Sequence, residues 1–382
     1  MARHGPGGDG GGHTPFRRVG IVGCGLMGGS LALAARSVAD VERIVVTDRD
    51  REVRRAAARR GLGEVVTEPQ AVAAGADVVF IAVPLEEIPK VAASVWPVMQ
   101  PSAVLTDIGS VKSKVMAEVE VLAGRSPETG PVFIGGHPMA GSEREGLDGA
   151  DGTVFQGSAY VLTPPASAPT EAFNRLASFV RLLGARVIAV DAATHDRLVG
   201  IVSHLPQVVA SALMTFAADT ARADPGLLAM AGGGFRDVTR VAASSPELWT
   251  GILRENREAV LDAVEGFAGV LGALRTALGA GDWAAVRQAL GAGRDARALL
   301  PGKAVDAPLI DLVIPVHDRP GSLAAVTTAL GAVGINIEDV SMRHAEDSPR
   351  GALVVAVAGD DTAERARLAL AARGFASHLE TR

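Results

Sequence analysis

A histidine at position 137 stands in the stretch GGHPMAG, residues 135–141, and is the side chain best suited to acid–base chemistry. Imidazole titrates near neutral pH, so a positioned histidine can accept a proton during a reaction. Pro138 disfavours helical geometry at the residue before it, and the two preceding glycines permit backbone shapes that other residues resist. The pattern predicts a rigid Gly-His-Pro loop that presents His137, although a loop that merely contains a histidine fits the same residues.

Three further polar clusters lie in apolar or glycine-rich surroundings. Ser110 follows a predicted strand in TDIGSVK, and His204 lies at an apolar helix start in GIVSHLPQ. Arg236 and Arg240 in GGGFRDVTR are four residues apart, so in a helix both lie on one face. Paired guanidinium groups suit a dicarboxylate ligand. The same residues also fit a core histidine and an exposed arginine pair with Asp237 as its partner.

A glycine-rich segment near the N-terminus indicates a dinucleotide site. VGIVGCGLMGGSLALAA follows a strand pattern and opens a helix pattern, with glycines in G-x-G-x-x-G spacing. Such a loop makes a tight turn and directs the amides of the helix N-terminus at the phosphates. The residues assigned to the cofactor here are Gly23, Gly25, Leu26, Met27 and Gly28. Asp48 ends the next predicted strand, where a carboxylate binds a ribose and favours NAD, while Arg49 leaves NADP as the less favoured choice.

These clusters require a framework of alternating strands and helices, which the chain supplies. Residues 17–193 alternate Val/Ile-rich runs with helical patterns, which predicts an α/β domain with a Rossmann-type doubly wound sheet. Residues 194–299 predict an all-helical middle domain that packs against a second subunit, and 300–308 a linker. Residues 309–382 follow a ferredoxin-like βαββαβ order, and the glycine-rich residues 1–16 predict a disordered tail.

Composition narrows the class of protein. The chain has 382 residues, 48% hydrophobic, and a net charge of −6, which disfavours nucleic-acid binding and anionic membrane surfaces. The single cysteine, Cys24, fits a reducing compartment, and the absence of a signal peptide or membrane-length apolar run predicts a cytoplasmic protein. No cluster has metal-ligand spacing, since His195 and His204 are nine residues apart with no cysteine nearby.

The order and spacing of five motifs identify a family. GIVGCGLMGGSLA, DIGSVK, GGHPMAGSEREG, SHLPQ and GGGFRDVTR together resemble the prephenate or arogenate dehydrogenases of tyrosine biosynthesis, from about residue 17 to 300. The segments RPGSLAAV and GINIEDVSM resemble an ACT domain, a small amino-acid-sensing fold. In this family a cyclohexadienol transfers hydride from its hydroxyl-bearing carbon to NAD and loses CO2, becoming aromatic. The resemblance therefore implies an NAD-dependent prephenate dehydrogenase that forms 4-hydroxyphenylpyruvate, and a homodimer.

The resemblance also implies roles for the polar residues. His137 hydrogen-bonds the substrate hydroxyl and helps to remove its proton, Ser110 lies between His137 and the nicotinamide, and His204 holds the substrate. The positions matching substrate-binding residues are Arg240, which grips a carboxylate, Arg236 at the pocket rim, Glu143 and Trp249. In the ACT module the resemblance suggests tyrosine as an effector, bound near Asp318, Gly321 and Asn336.

Several alternatives stay open. Gln207 stands where relatives often carry a second histidine, which leaves arogenate as an alternative substrate. A dehydrogenase of β-hydroxyacids or imines relies on a helical lysine, and residues 194–299 contain none. A sensor that binds nucleotide and amino acid without turnover would leave His137, Ser110 and Arg240 without a role.

Overall fold

The computed structural model describes residues 15–299 and 309–381, apart from 124–129, 142, 143, 145, 318–321, 336, 338 and 345–349. The predicted tail up to residue 14 and the predicted linker lie outside the described residues. The chain divides into two compact units, residues 1–273 and 274–382, which are described separately below.

The first unit is built on an eight-stranded sheet. Its strands are β1 Arg18–Val22, β2 Arg43–Thr47, β3 Glu64–Val65, β4 Val78–Ile81, β5 Val104–Asp107, β6 Val132–Pro138, β7 Ala159–Thr163 and β8 Arg186–Ala189. They lie in the order β3-β2-β1-β4-β5-β6-β7-β8. All neighbours are parallel except β6 and β7. This arrangement confirms the doubly wound sheet; the two-residue β3 is too short to leave a sequence pattern.

Helices cover both faces of this sheet, which explains the continuous apolar runs in the strands. They are α1 Leu26–Ala35, α2 Arg51–Arg59, α3 Pro69–Ala73, α4 Ile88–Val95, α5 Ser113–Ala123 and α6 Thr170–Leu182. Successive residues of a strand face opposite sides. Phe80 accordingly packs in one core with Phe179, while its neighbours Val79 and Ile81 belong to a second core with Leu105.

The helical region follows β8, as predicted. It contains α7 Ala192–Val199, a π-helical turn Gly200–His204, α8 Leu205–Ala221, α9 Gly233–Thr239, α10 Pro246–Glu255 and α11 Arg257–Ala280. His204 therefore lies inside a continuous helical run rather than at a helix start. Pro206 follows the π turn and has no amide hydrogen to donate, a common cause of irregular helical turns.

The expectation that the chain has no membrane-length apolar segment is wrong for the helical run 192–221. By length and composition alone, this helix is apolar enough to cross a bilayer. Polar residues interrupt the apolar pattern in the sequence, which is why the segment was not predicted. The same helix buries His195, Asp196 and His204 with polar partners described below.

The second unit contains α12 Trp283–Arg297 and a small antiparallel sheet. Its remaining elements are β9 Leu309–His317, α13 Ser322–Gly331, β10 Asp339–His344, β11 Arg350–Ala358, α14 Asp360–Ala371 and β12 His378–Thr381. The strand order is β10-β11-β9-β12. Leu312 and Ile314 of β9 and Val355 of β11 are buried in one core with residues of helices α13 and α14. The predicted βαββαβ order is confirmed.

Candidate active site

His137 lies in strand β6, so the prediction of a Gly-His-Pro loop is wrong. The residue pairs with Val161 of β7 and is 8% exposed. The preceding glycines serve close packing instead of unusual backbone angles. A Cβ on Gly135 would lie 2.3 Å from Thr163 Oγ1, and one on Gly136 would lie 2.6 Å from the Asp107 carbonyl oxygen. Only glycine lets β6 approach its neighbours this closely.

A buried ion pair holds the peptide group before His137. Lys112, just ahead of α5, is fully buried, and its Nζ donates to Asp107 Oδ2 at the end of β5. The same Nζ donates to the Gly136 carbonyl (2.8 Å), and the Gly136 amide donates to Asp107 Oδ1 (3.1 Å). Both polar groups of the residue preceding His137 are therefore fixed by one Asp–Lys pair, which we call the Gly136 clamp.

A second set of contacts reaches the imidazole ring itself from helix α7. His137 Nδ1 lies 2.8 Å from His195 Nε2, and His195 Nδ1 lies 2.8 Å from Asp196 Oδ1. The Asp196 carboxylate accepts the backbone amides of Lys112 and Ser113, each at 2.8 Å. All three side chains are buried. His137 is thus the end of a histidine–histidine–carboxylate chain.

His204 is joined to this chain through Asn256. Asn256 Nδ2 donates to the Asp196 carbonyl oxygen (2.8 Å) and lies 3.0 Å from His204 Nδ1. Since the amide nitrogen can only donate, His204 Nδ1 accepts, and the neutral ring carries its hydrogen on Nε2. The Trp249 ring packs edge-on against His204, with centroids 5.9 Å apart. His204 is therefore set up as a hydrogen-bond donor.

Burial governs the charge of these groups. Burial and then the nearby His195, Lys112 and His204 hold the pKa of His137 well below its usual value. Burial likewise lowers the pKa of His204 to about 4, against an opposing effect of Asp196. Burial opposes ionisation of Asp196, but hydrogen bonds from His195, Ser113 and Lys112 outweigh it and lower its pKa. At neutral pH His137 and His204 are therefore neutral, and the Asp196 carboxylate is ionised.

The glycine loop has the geometry of a nucleotide site. Gly23 has a φ of +100°, and a Cβ there would lie 2.2 Å from the Ala82 carbonyl oxygen. Gly28 is equally restricted by the Gly23 carbonyl, whereas no atom of the described residues lies within 4 Å of a Cβ on Gly25, which caps α1. The open space at Gly25 is where a pyrophosphate can approach the helix N-terminus. Leu26 and Met27 form the half-buried first turn of α1.

Asp48 follows β2 beside this loop. Its Oδ2 accepts the Cys24 amide and its Oδ1 the Asp50 amide, at 2.8 and 2.9 Å. Among the described residues each oxygen has this one partner and keeps a lone pair, so the carboxylate can still accept ribose hydroxyls. Burial and the charge of Asp48 raise the pKa of the Cys24 thiol to about 12, so this cysteine is unreactive. The residues present therefore fit a nicotinamide dinucleotide.

The structure places the other predicted site residues as follows. Ser110 is half-buried in the loop between β5 and α5, and Trp249 is half-buried on α10. Arg236 lies on α9 and Arg240 begins a 3₁₀ turn, Arg240–Ala243, so the two do not share one regular helix. Both arginines are exposed. Glu143, Asp318, Gly321 and Asn336 lie outside the described residues.

A pocket of about 340 Å³ opens beside Trp249. Its lining includes Gln207 and Ser211 of α8 and Ser244 after the 3₁₀ turn. Gln207 is 5% exposed and its Nε2 donates to Ser211 Oγ, while its Oε1 has no hydrogen-bond partner among the described residues. A buried acceptor without a donor is costly. Gln207, which lines the pocket, therefore has an acceptor that a ligand N–H or O–H could satisfy.

Sequence reasoning missed the residues that support His137. The sequence motifs concern His195 only as a possible metal ligand and do not include Asp196 or Asn256, because hydrogen bonds between distant elements leave no local pattern. Lys112 was part of the quoted motif DIGSVK. A usable signal was the lysine in an otherwise apolar strand-to-helix junction, since a buried lysine requires an acidic partner such as Asp107.

Comparisons with known proteins agree with this geometry. Residues 31–189 match the family described as "Prephenate dehydrogenase, nucleotide-binding domain", 191–292 match its dimerization domain, and 311–375 match the ACT domain. The prephenate dehydrogenase of Bacillus subtilis is 30% identical over 363 residues, 92% of this chain and 95% of that protein.

Two solved structures are similar over about three quarters of the chain. One is prephenate dehydrogenase from Aquifex aeolicus in complex with hydroxyphenyl propionate and NAD⁺, with a TM-score of 0.67 and 29% identity, covering 74% of this chain and 98% of that one. The other is Synechocystis arogenate dehydrogenase, with a TM-score of 0.63 and 30% identity, covering 73% of this chain and 98% of that one. The chain therefore belongs to the prephenate dehydrogenase family of oxidoreductases and carries a C-terminal ACT domain.

Proposed function

We propose that this protein is an NAD-dependent prephenate dehydrogenase, which converts prephenate to 4-hydroxyphenylpyruvate and CO2. The observation that carries the proposal is the buried, neutral His137 on β6, held by the Gly136 clamp and by His195. A neutral imidazole can accept the proton of a substrate hydroxyl, whereas an imidazolium cannot.

The proton on the substrate oxygen is handled by His137. As the hydroxyl-bearing carbon is oxidised, its oxygen gives the proton to the imidazole and becomes a carbonyl. Loss of the ring carboxylate as CO2 returns an electron pair to the ring, and the oxygen recovers the proton from His137 as the phenol forms. A bound nicotinamide supplies the acceptor for the hydride that leaves this carbon. Ser110 in the adjacent loop assists by hydrogen bonding to the same hydroxyl.

The cofactor is held by the loop of Gly23, Gly25, Leu26, Met27 and Gly28, with its ribose on Asp48. The carboxylate of Asp48 repels a 2′-phosphate, so we assign NAD rather than NADP. The Aquifex aeolicus relative solved with NAD⁺ supports this choice.

The substrate's two carboxylates require cationic or hydrogen-bonding groups. We assign Arg240 to a carboxylate, Arg236 to the pocket rim, and His204, Glu143 and Trp249 to the remaining surface. Arogenate is the second candidate substrate, because Gln207 Oε1, which has no partner among the described residues, can accept a hydrogen bond from an ammonium group but not from a keto group. The similarity to Synechocystis arogenate dehydrogenase supports this alternative.

One assay tests the proposal and chooses between the substrates. Purified full-length protein is given prephenate or arogenate with NAD or NADP, and NAD(P)H formation is followed by absorbance. We expect the highest kcat/KM with prephenate and NAD. Preferred turnover of arogenate would make arogenate the substrate. No turnover with any pair, while NAD still binds, would contradict the dehydrogenase and favour a non-catalytic sensor.

We further propose a cytoplasmic homodimer. Large apolar side chains lie exposed in the helical region of the first unit, with Phe216 72%, Met230 85% and Val270 67% exposed. A second copy would cover them, and the match to a dimerization domain supports this assembly. Sedimentation equilibrium should give twice the monomer mass; a monomer at micromolar concentration would contradict it.

The ACT domain suggests feedback control by tyrosine. We propose that tyrosine binds this domain and lowers turnover. Tyrosine should inhibit the full chain but not a chain truncated after residue 305 that retains its basal turnover. Equal inhibition of both would locate the tyrosine effect at the active site instead.

A further inference from the structure

The chain of contacts from Asp196 to His137 determines where each ring carries its hydrogen. The Asp196 carboxylate receives the amides of Lys112 and Ser113 at the start of α5, where the helix dipole favours a negative charge. An ionised carboxylate can only accept hydrogen bonds. His195 Nδ1, 2.8 Å from Asp196 Oδ1, must therefore donate.

The donor role of His195 Nδ1 fixes the rest of the chain. A neutral His195 that carries hydrogen on Nδ1 has a bare Nε2, which can only accept. The atom 2.8 Å from it, His137 Nδ1, must then carry the hydrogen that it donates. His137 Nε2 is left without hydrogen.

We propose that His195 is a positioning residue, which together with Asp196 holds His137 in the neutral tautomer with hydrogen on Nδ1 and a bare Nε2. The proposal rests on the proposed function, in which His137 accepts the hydroxyl proton. In the opposite tautomer, Nε2 of His137 would carry the hydrogen and point it at the substrate hydroxyl. That nitrogen could then not take the proton of the hydroxyl. The same contacts hold the ring in orientation, because Asp196 is anchored to the β5–α5 loop and, through its carbonyl, to Asn256.

The first test measures the tautomer directly and needs no turnover. Full-length protein labelled with ¹⁵N at its eight histidines is studied by long-range ¹H–¹⁵N correlation at pH 7.5, with His137→Asn and His195→Gln spectra to assign the signals. We expect His137 to be protonated at Nδ1 and bare at Nε2. Hydrogen on Nε2 of His137, in either the neutral or the charged ring, would overturn the proposal.

The second test separates a hydrogen-bonding role from filling space. His195→Leu removes the acceptor, whereas His195→Gln can still accept from His137 through its amide oxygen and donate to Asp196. We expect His195→Leu to lower kcat about 100-fold or more and to leave the KM of NAD unchanged. The kcat of His195→Gln should be at least about ten times that of His195→Leu. Equal kcat values for the two variants, or a Leu variant as active as the parent, would refute the role.

A control on the same helix is Asp191→Asn. Asp191 caps α7 by accepting the Thr194 amide, and asparagine is an equally good cap, so kcat should stay unchanged.

Failure of the proposed function and failure of the tautomer inference are distinguishable. If the parent turns over none of the substrates, the proposed function fails while the tautomer measurement stands. If the parent is active but His137 is protonated at Nε2, only the present inference fails.

Discussion

Replacing Lys112 by methionine should both destabilise the first unit and slow turnover. Methionine keeps most of the buried volume but removes the ammonium group that pairs with Asp107 and binds the Gly136 carbonyl. Among the described residues Asp107 then keeps backbone partners alone, the amides of Gly109 (2.9 Å) and Gly136. A fully buried carboxylate would thus lose its counter-charge.

The expected magnitude follows from that burial. Removing one partner of a buried ion pair costs about 3–5 kcal/mol of unfolding free energy, because the remaining charge is uncompensated. For a unit of this size, each kcal/mol corresponds to roughly 2–4 °C in Tm, so Tm should fall by about 6–20 °C. Asp107→Asn should cost less, since burial lowers the pKa of Lys112 and the lysine can lose its proton when its partner is neutral.

Lys114→Met is the matched control. Lys114 lies two residues further on, and its Nζ also forms an ion pair, with Glu255 at 2.7 Å, but its side chain is 57% exposed. Exposed pairs contribute about 0–1 kcal/mol. Thermal unfolding followed by circular dichroism, with urea unfolding at 25 °C, measures both variants. If Lys112→Met lost no more stability than Lys114→Met, the Gly136 clamp would have no structural role and the reasoning would be wrong.

Three further predictions concern the cofactor, the substrate and pH. Asp48→Asn, which keeps an acceptor for the Cys24 amide, should raise the KM of NAD about tenfold or more and narrow the preference for NAD over NADP. Steady-state kinetics with each cofactor measures both effects. An unchanged ratio of kcat/KM for NAD to that for NADP would argue against the ribose contact. Arg240→Ala should raise the KM of the substrate about 10- to 100-fold and leave the KM of NAD unchanged, and Arg236→Ala should raise the substrate KM by a smaller factor. An Arg240→Ala variant that is weakened only in NAD binding would contradict the assignment. Burial holds the folded pKa of His204 below its unfolded value, so the unfolded chain takes up a proton first as pH falls. The contribution of His204 to the free energy of unfolding is therefore complete above about pH 6.5 and declines toward pH 4. Between pH 7 and 5 this residue alone should account for about 2 kcal/mol of unfolding free energy, and His204→Gln should flatten the urea-unfolding profile by that amount; an equally steep profile in the variant would disprove the contribution.

Local patterns predicted the framework of this protein well. The glycine spacing before α1, the Val/Ile runs of the strands and the βαββαβ order of the C-terminal elements each depend on residues close together in sequence, and all three are confirmed. The strand position of His137 was missed for a physical reason. Glycines serve either backbone freedom or close packing, and only the neighbouring strands, with Thr163 and the Asp107 carbonyl, show that packing is their role.

The supports of the candidate site could not be predicted, because they come from contacts between distant segments. His195 is 58 residues from His137, and Asn256 is 60 residues from Asp196. A histidine and an aspartate side by side on a helix give no local sign of their partners. The π-helical turn at Gly200–His204 directly precedes Leu205 and Pro206, whereas the apolar pattern predicts a regular helix there.

Lys112 belongs to both supports of His137, through different parts of the residue. Its side chain completes the Gly136 clamp, whereas its backbone amide binds the Asp196 carboxylate that anchors His195. Substitution at this position removes the first contact and leaves the amide in place. Lys112→Met and His195→Leu therefore perturb separate supports of one imidazole, the strand that carries it and the hydrogen bond that orients it. If both act on His137 alone, their effects on kcat in the double variant should fall short of the product of the single effects, since a ring already misplaced has less to lose.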